Sequence, residues 1–398
     1  MKKILTLMLM ALALNASAQK YIRIWQAGES TRVAAQDIVY GNGGTDITVN
    51  GVTYATNEVD SITVVKTIFV SYDGATAMVD KGLASELEVA IQGADVTITN
   101  PNVSEEIEFE IEGTSANGSF TYYGDYKCKF HLNGLLLNSA TGSPFNIQCG
   151  KRIDMILVPG TENILIDATA GTHKATLISK GHLEFEGAGN LTLTGNTRHA
   201  IDSNEYMRFK ANLGKITIDK ALGDGIHTEQ YFMMEGGTLD ISGTEGDGLQ
   251  AEVSGDPTEI HNGQIFIKGG NIKVVAAAPD TKAIKSDSLI TITGGNIEIT
   301  ASGNGSKGIA SGTSLIINED DAATNINILA SGNRYEDPVT EETSRCMGIR
   351  VRNDLTITAG TVYVKNSGSG SKGIKVDGVY YAKGGNVTAS VDASSVQK

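Results

Sequence analysis

Between Arg198 and Val376 the apolar positions keep two rhythms. A short glycine-flanked signal recurs at Ala200-Ile201, Gly225-Ile226, Gly248-Leu249, Ala283-Ile284, Gly308-Ile309, Gly348-Ile349 and Gly373-Ile374, with apolar anchors spaced by 25, 23, 35, 25, 40 and 25 residues. Between the signals, apolar residues alternate with polar ones, as at Ile290, Ile292, Ile297 and Ile299, or Leu355, Ile357, Val362 and Val364. Alternation of Ile, Val and Thr with a period of two marks half-buried strands, whereas a helical repeat needs spacing near 3.6. About three strands and no helix fit in each unit, and a repeat of this length stacks as a solenoid. The pattern predicts an all-β fold: a single-stranded parallel β-helix whose coils each hold about three strands.

Residues 147 and 177 extend the anchors backwards, giving nine coils. Two long units must shed residues as loops, at 253–263 and 333–344, because the strand pattern resumes in register beyond them. Insertions of this kind mark the binding face of many solenoids. Residues 19–66 do not follow the repeat and read as a small β module that caps the coil; residues 67–398 form the solenoid. Residues 1–18 carry Lys2 and Lys3, an apolar stretch from Ile4 to Leu14 and Ala16-Ser17-Ala18, the layout of an export signal. The chain is therefore expected in the periplasm or outside the cell, with no membrane span; its oligomeric state is not encoded in any feature of the sequence.

Composition narrows the partners. The formal charge is −14, which disfavours nucleic acid phosphates. Cys128, Cys149 and Cys346 form an odd set without a metal-binding spacing, and Cys128 and Cys149, about one coil apart, read either as stacked buried thiols or as a disulfide. Gly303-Asn304-Gly305-Ser306-Lys307-Gly308 has the glycine spacing of a dinucleotide loop, but strand residues follow it where a helix would be needed.

The repeat phase predicts which side chains stack. Residues one and three after each anchor should face outward, giving Asp202 and Asn204, His227 and Glu229, Gln250 and Glu252, Lys285 and Asp287. The position two before the anchor adds His199, Asp224, Asp247, Lys282 and Lys307. Asp224 and Asp247 are like charges one rung apart, and a calcium ion would compensate them; Asp-Gly as ordinary turn chemistry is the alternative. Glu229 and Glu252 form the second candidate calcium pair. Farther along, Lys282, Lys285, Lys307, Arg350 and Arg352 read as a track for the carboxylates of an acidic polysaccharide, or as a solvated ladder. Tyr206 and Tyr231 should stack, either placing sugar faces or stabilising the coil. Asp202, Tyr206, His227, Tyr231, Lys282, Lys285 and Lys307 are the candidate glycan contacts.

The Asp-Gly-Ile turns, followed by strands such as Gly236-Gly237-Thr238-Leu239-Asp240-Ile241, resemble the carbohydrate-binding domain-containing family of β-helices, similar in shape to pectate lyases, over roughly residues 71–391. The resemblance implies a right-handed, three-sheet β-helix with calcium in the turns and binding of acidic plant polysaccharide such as polygalacturonate. Its acidic turn matches at Asp224-Gly225 and Asp247-Gly248; Lys, His or Met stands there in other coils. A non-catalytic binding protein is the first reading. A calcium-dependent lyase using Lys285 as base, a hydrolase with paired carboxylates, or an adhesive surface protein are the alternatives.

Overall fold

The computed structural model describes residues 21–27, 29–35, 38–320 and 323–391; the export segment predicted at residues 1–18 lies outside them. The described chain is all-β apart from one 3-10 turn at Asn42–Gly44. From Thr67 onward it winds as a parallel β-helix. One face is a twelve-stranded sheet in which every neighbouring pair is parallel except Glu88–Gln92 against Ala94–Asn100. The other two faces merge into a single 22-stranded sheet. The merger arises at long strands such as Cys128–Asn138, which pairs with Ile153–Leu157 through its first half and with Glu162–Ile166 through its second.

Register through the twelve-stranded sheet runs Phe145, Leu177, Ile201, Ile226, Leu249, Ile284, Ile309, Ile349, Ile374. The anchor of the 145–148 rung is thus Phe145, not Ile147. Two further parallel rungs, Ala94–Asn100 and Gly118–Gly124, precede it. Their insides are aromatic, with Phe109, Phe120, Tyr122 and Phe130 packed ring to ring, which hid them from a search for small aliphatic anchors. From Leu177 through Ile349 every anchor is completely buried, and burying a side chain of that size contributes about 1.5–3 kcal/mol.

The paired glycines of the repeat have a specific task. Gly270 and Gly295 adopt φ of +88° and +96°, and a Cβ on Gly295 would stand 2.8 Å from the Gly270 carbonyl oxygen. The turn needs both left-handed backbone and close approach of successive coils, which only glycine permits.

Residues 21–64 build two small three-stranded antiparallel sheets around Ile22, Ile24, Ile47, Val49, Val59 and Ile62, a core separate from that of the coil. This module lies against the outer face of the first coils: Arg23 and Arg32 pair with Glu108, Arg32 also with Glu110, and Tyr21 stacks on Phe69. Antiparallel strands Thr76–Asp80 and Glu88–Gln92 cover the first coil's strand edges. Edge covering, expected of the module, is done by these strands, and the module is a lateral attachment. Cys128, Cys149 and Cys346 are buried free thiols. No helix among the described residues is long and apolar enough to cross a membrane.

Candidate functional site

The outward residue after each anchor forms a column along the twelve-stranded sheet: Asp202, His227, Gln250, Lys285, Ala310, Arg350, Lys375. Every rung of this stretch carries a long or charged side chain except one. At the exception Ala310 is followed by Gly312, the outward position where neighbouring coils carry Asp287 and Arg352. A Cβ on Gly312 would lie 2.1 Å from the Asp287 carbonyl oxygen. The missing side chains open a cavity of about 380 Å³, floored by Ala310, Ser311 and Gly312 and rimmed by Lys285, Arg350 and Arg352.

One wall is the insertion at 333–344. Its strands Tyr335–Glu336 and Thr343–Ser344 pair antiparallel as a small hairpin, and Tyr335, Asp337, Thr340, Glu342 and Ser344 line the cavity. Lys307 fastens the hairpin to the coil. Its ammonium donates to Ser344 Oγ at 2.7 Å, Gly305 O at 2.9 Å and Asp280 Oδ1 at 3.0 Å. Burial lowers its pKa, with Asp280 offsetting part of the effect. Lys282 is held by Asp280 as well, donating to its carbonyl at 2.6 Å. These two predicted glycan contacts are occupied within the protein. Lys285 leans toward Asp247 Oδ2 at 3.4 Å, and Arg350 pairs with Asp377. Arg352 is exposed, and its guanidinium has no hydrogen bond or ion pair among the described residues.

Nearer the N-terminal end the same face becomes a chain of histidines and carboxylates. His227 donates through Nδ1 to Asp202 Oδ1 and through Nε2 to Glu252 Oε2, both at 2.9 Å. Burial by itself would lower the pKa of His227; the two carboxylates outweigh it and lift it to about 9. In the adjoining column each acid accepts the amide of the next coil. The Asp247 N–H reaches Asp224 Oδ1 at 2.6 Å, and the Lys282 N–H reaches Asp247 Oδ1 at 2.7 Å. Asp224 Oδ2 lies 3.3 Å from His199 Nδ1; Gln250, with its carboxamide oriented to satisfy both neighbours, donates to that oxygen at 3.3 Å and accepts from Lys285 Nζ at 3.2 Å. Burial tends to raise the pKa of Asp224, yet the contact with His199 and the Asp247 amide bring it below the usual range; burial prevails at Asp247, which is raised.

Calcium seeks six to eight oxygens. All four carboxylate oxygens of Asp224 and Asp247 already face nitrogen donors, so this pair does not fit the ion. The second candidate pair is divided: Glu229 lies 3.9 Å from Lys174, while Glu252 meets His227.

Tyr206 and Tyr231 stack at 4.7 Å with planes 15° apart, and His182 covers the far side of Tyr206 at 4.4 Å. Phe266 meets Tyr231 edge-on. The faces of this ladder are taken up by neighbouring rings, leaving edges to solvent.

Sequence reading missed the cavity, because its signal is an absence: Ala310 and Gly312 looked unremarkable beside lysines and arginines. Comparing each coil for the smallest outward pair would have found it. It also missed His199 and Gln250 as partners of the acids.

Fold and face together define a β-helix protein with an elongated polar outer face. The chain belongs to the carbohydrate-binding domain-containing protein family, which it matches over residues 92–395. A polysaccharide lyase-like protein from C. thermocellum, solved as a gadolinium derivative, is similar with a TM-score of 0.49 and 18% identity, covering 81% of this chain and 100% of that one. No curated protein matches the sequence.

Proposed function

We propose that the outer face of the twelve-stranded sheet binds an acidic polysaccharide laid along the coil axis, with a uronate carboxylate held by Arg352 and Lys285 above the Ala310 and Gly312 floor. The observation that carries this reading is the empty rung: a cavity sits where the column loses its side chains, and Arg352 at its rim has no partner of its own. A guanidinium matches a carboxylate with two parallel hydrogen bonds, and the hairpin supplies hydroxyls for neutral sugar atoms. Membership of a carbohydrate-binding family supports the class of ligand. Calcium plays no part in this arrangement. Polymers of this kind lie outside the cytoplasm, in keeping with export directed by residues 1–18.

The test is retention on immobilised polygalacturonate, compared with a neutral glucan, with product release followed in the ultraviolet. Retention on the acidic polymer without unsaturated product supports a binding protein. Unsaturated product that disappears in Lys285→Ala would turn the reading to a lyase, and retention on neither polymer would overturn it.

A further inference from the structure

We propose that Asp287 makes the cavity selective for uronates whose ring hydroxyls are free, rejecting esters on O2 or O3, a selectivity that rests on the uronate reading above. Along the twelve-stranded sheet Ser286 pairs with Ser311 and Ser311 with Val351. Asp287, Gly312 and Arg352 therefore take the same outward place on three successive rungs. Backbone bonds keep them in step: the Gly312 N–H donates to Ser286 O at 2.7 Å and the Arg352 N–H to Ser311 O at 3.2 Å. Asp287 and Arg352 both line the cavity. They stand two rungs apart, about 10 Å at the spacing of parallel strands.

Neither charge is spent. Among the described residues the Asp287 carboxylate, like the Arg352 guanidinium, has no hydrogen bond or ion pair. Two other acids of the lining are engaged. Asp280 holds Lys282 and Lys307, and Asp337 closes its own turn by accepting the Val339 and Thr340 amides. Glu342 is also without a side-chain partner, but it belongs to the hairpin wall and does not face Arg352 across the floor. Gly312 keeps the space between Asp287 and Arg352 open, since a Cβ there would come within 2.9 Å of Asp287 Cα.

A pyranuronate carries matching groups at opposite ends of its ring. Its carboxylate, on C5, suits the guanidinium. In a 1,4-linked polyuronate O2 and O3 are the hydroxyls left free, and together they can donate to both oxygens of one carboxylate. A two-rung gap admits a single ring with a hydrogen bond of about 3 Å at each end. An ionised aspartate only accepts hydrogen bonds, so it repels a second carboxylate and requires a donor. An ester on O2 or O3 removes that donor and sets an acceptor against Asp287. A site built around a substrate hydroxyl rejects the analogue that lacks it, because its own polar group is left unpaired.

The experiment is affinity electrophoresis in gels containing polygalacturonate, or the same polymer acetylated on O2 and O3, which leaves its carboxylates unchanged. Wild-type protein should bind the acetylated polymer at least tenfold more weakly. Asp287→Ala, checked for an unchanged circular dichroism spectrum, should lose about tenfold on the free polymer and no longer distinguish the two. The sign is decisive: removing a negative charge by itself strengthens attraction to a polyanion. Glu298→Ala, on another face of the coil, serves as the charge control and should bind no more weakly than wild type. Equal binding of both polymers by the wild-type chain, or undiminished binding by folded Asp287→Ala, overturns the selectivity and leaves the uronate reading standing. Retention on neither polymer overturns both.

Discussion

Asp224 accepts the backbone N–H of Asp247 at 2.6 Å, so two acidic residues one coil apart are joined from side chain to backbone by a hydrogen bond. Their repulsion is met by amides, a histidine and a lysine drawn from adjacent coils, and the pair works as a strut along the solenoid.

Replacement of either acid should therefore register as lost stability. Asp224→Ala strands the Asp247 amide and Asp247→Ala strands the Lys282 amide, at about 1–3 kcal/mol each. Thermal unfolding should show a lower midpoint for each variant, and added calcium should not raise the wild-type midpoint. A calcium-dependent rise that vanishes in Asp224→Ala would show that the ion does bind there.

The cavity can be filled without touching its cations. Ala310→Lys restores the long side chain that flanking coils carry, and should abolish retention on polygalacturonate while leaving the melting midpoint within about a degree or two, as for other surface substitutions. Unchanged retention would mean the polymer lies elsewhere on the coil.

Arg352→Ala should weaken polygalacturonate binding by about tenfold or more, since a hydrogen bond between charged groups contributes about 1.5–3 kcal/mol. Arg352→Lys should recover only part of this, because an ammonium cannot make the paired contact. Affinity electrophoresis at two salt concentrations would separate this loss from a general charge effect.

Lys307→Met should act on the hairpin. Three hydrogen bonds from its ammonium are lost, and proteolysis within 333–344 should quicken while the coil stays resistant. An unaltered cleavage pattern would show that the hairpin holds by itself.

Acid should loosen the N-terminal module. Glu108 is buried, which opposes its ionisation, but His131 and Arg23 more than compensate and hold its pKa at about 2. A carboxyl depressed in the folded state stabilises fully above its unfolded value of about 4.3 and loses that contribution as pH falls toward about 2. Fluorescence of Trp25, in the module, should report a transition in that window, and Glu108→Gln should flatten it.

Much of the solenoid was legible in order of residues alone. Alternating Ile and Thr, with glycine pairs at fixed intervals, dictate strands and turns by local sterics, and one coil predicts the next because each must present the same inward face. The stacking of Tyr206 on Tyr231 follows from that phase, as does the column from Asp202 to Lys375. The first coils were less legible because phenylalanines replace aliphatic anchors there, and the module's lateral docking depends on Arg23 and Arg32 finding Glu108 and Glu110 across some 80 residues of chain.

Periodicity determined which residues share a face, since a strand offers only two sides and a parallel stack repeats them. Tertiary structure alone decided what those residues do to one another. Whether Asp224 meets an amide or an ion, whether Lys307 is free or locked under a hairpin, and whether Ala310 is a gap or a cavity depend on atoms brought in from coils 23 to 40 residues away. Hydrogen bonds act over about 3 Å, and no spacing rule resolves distances that small.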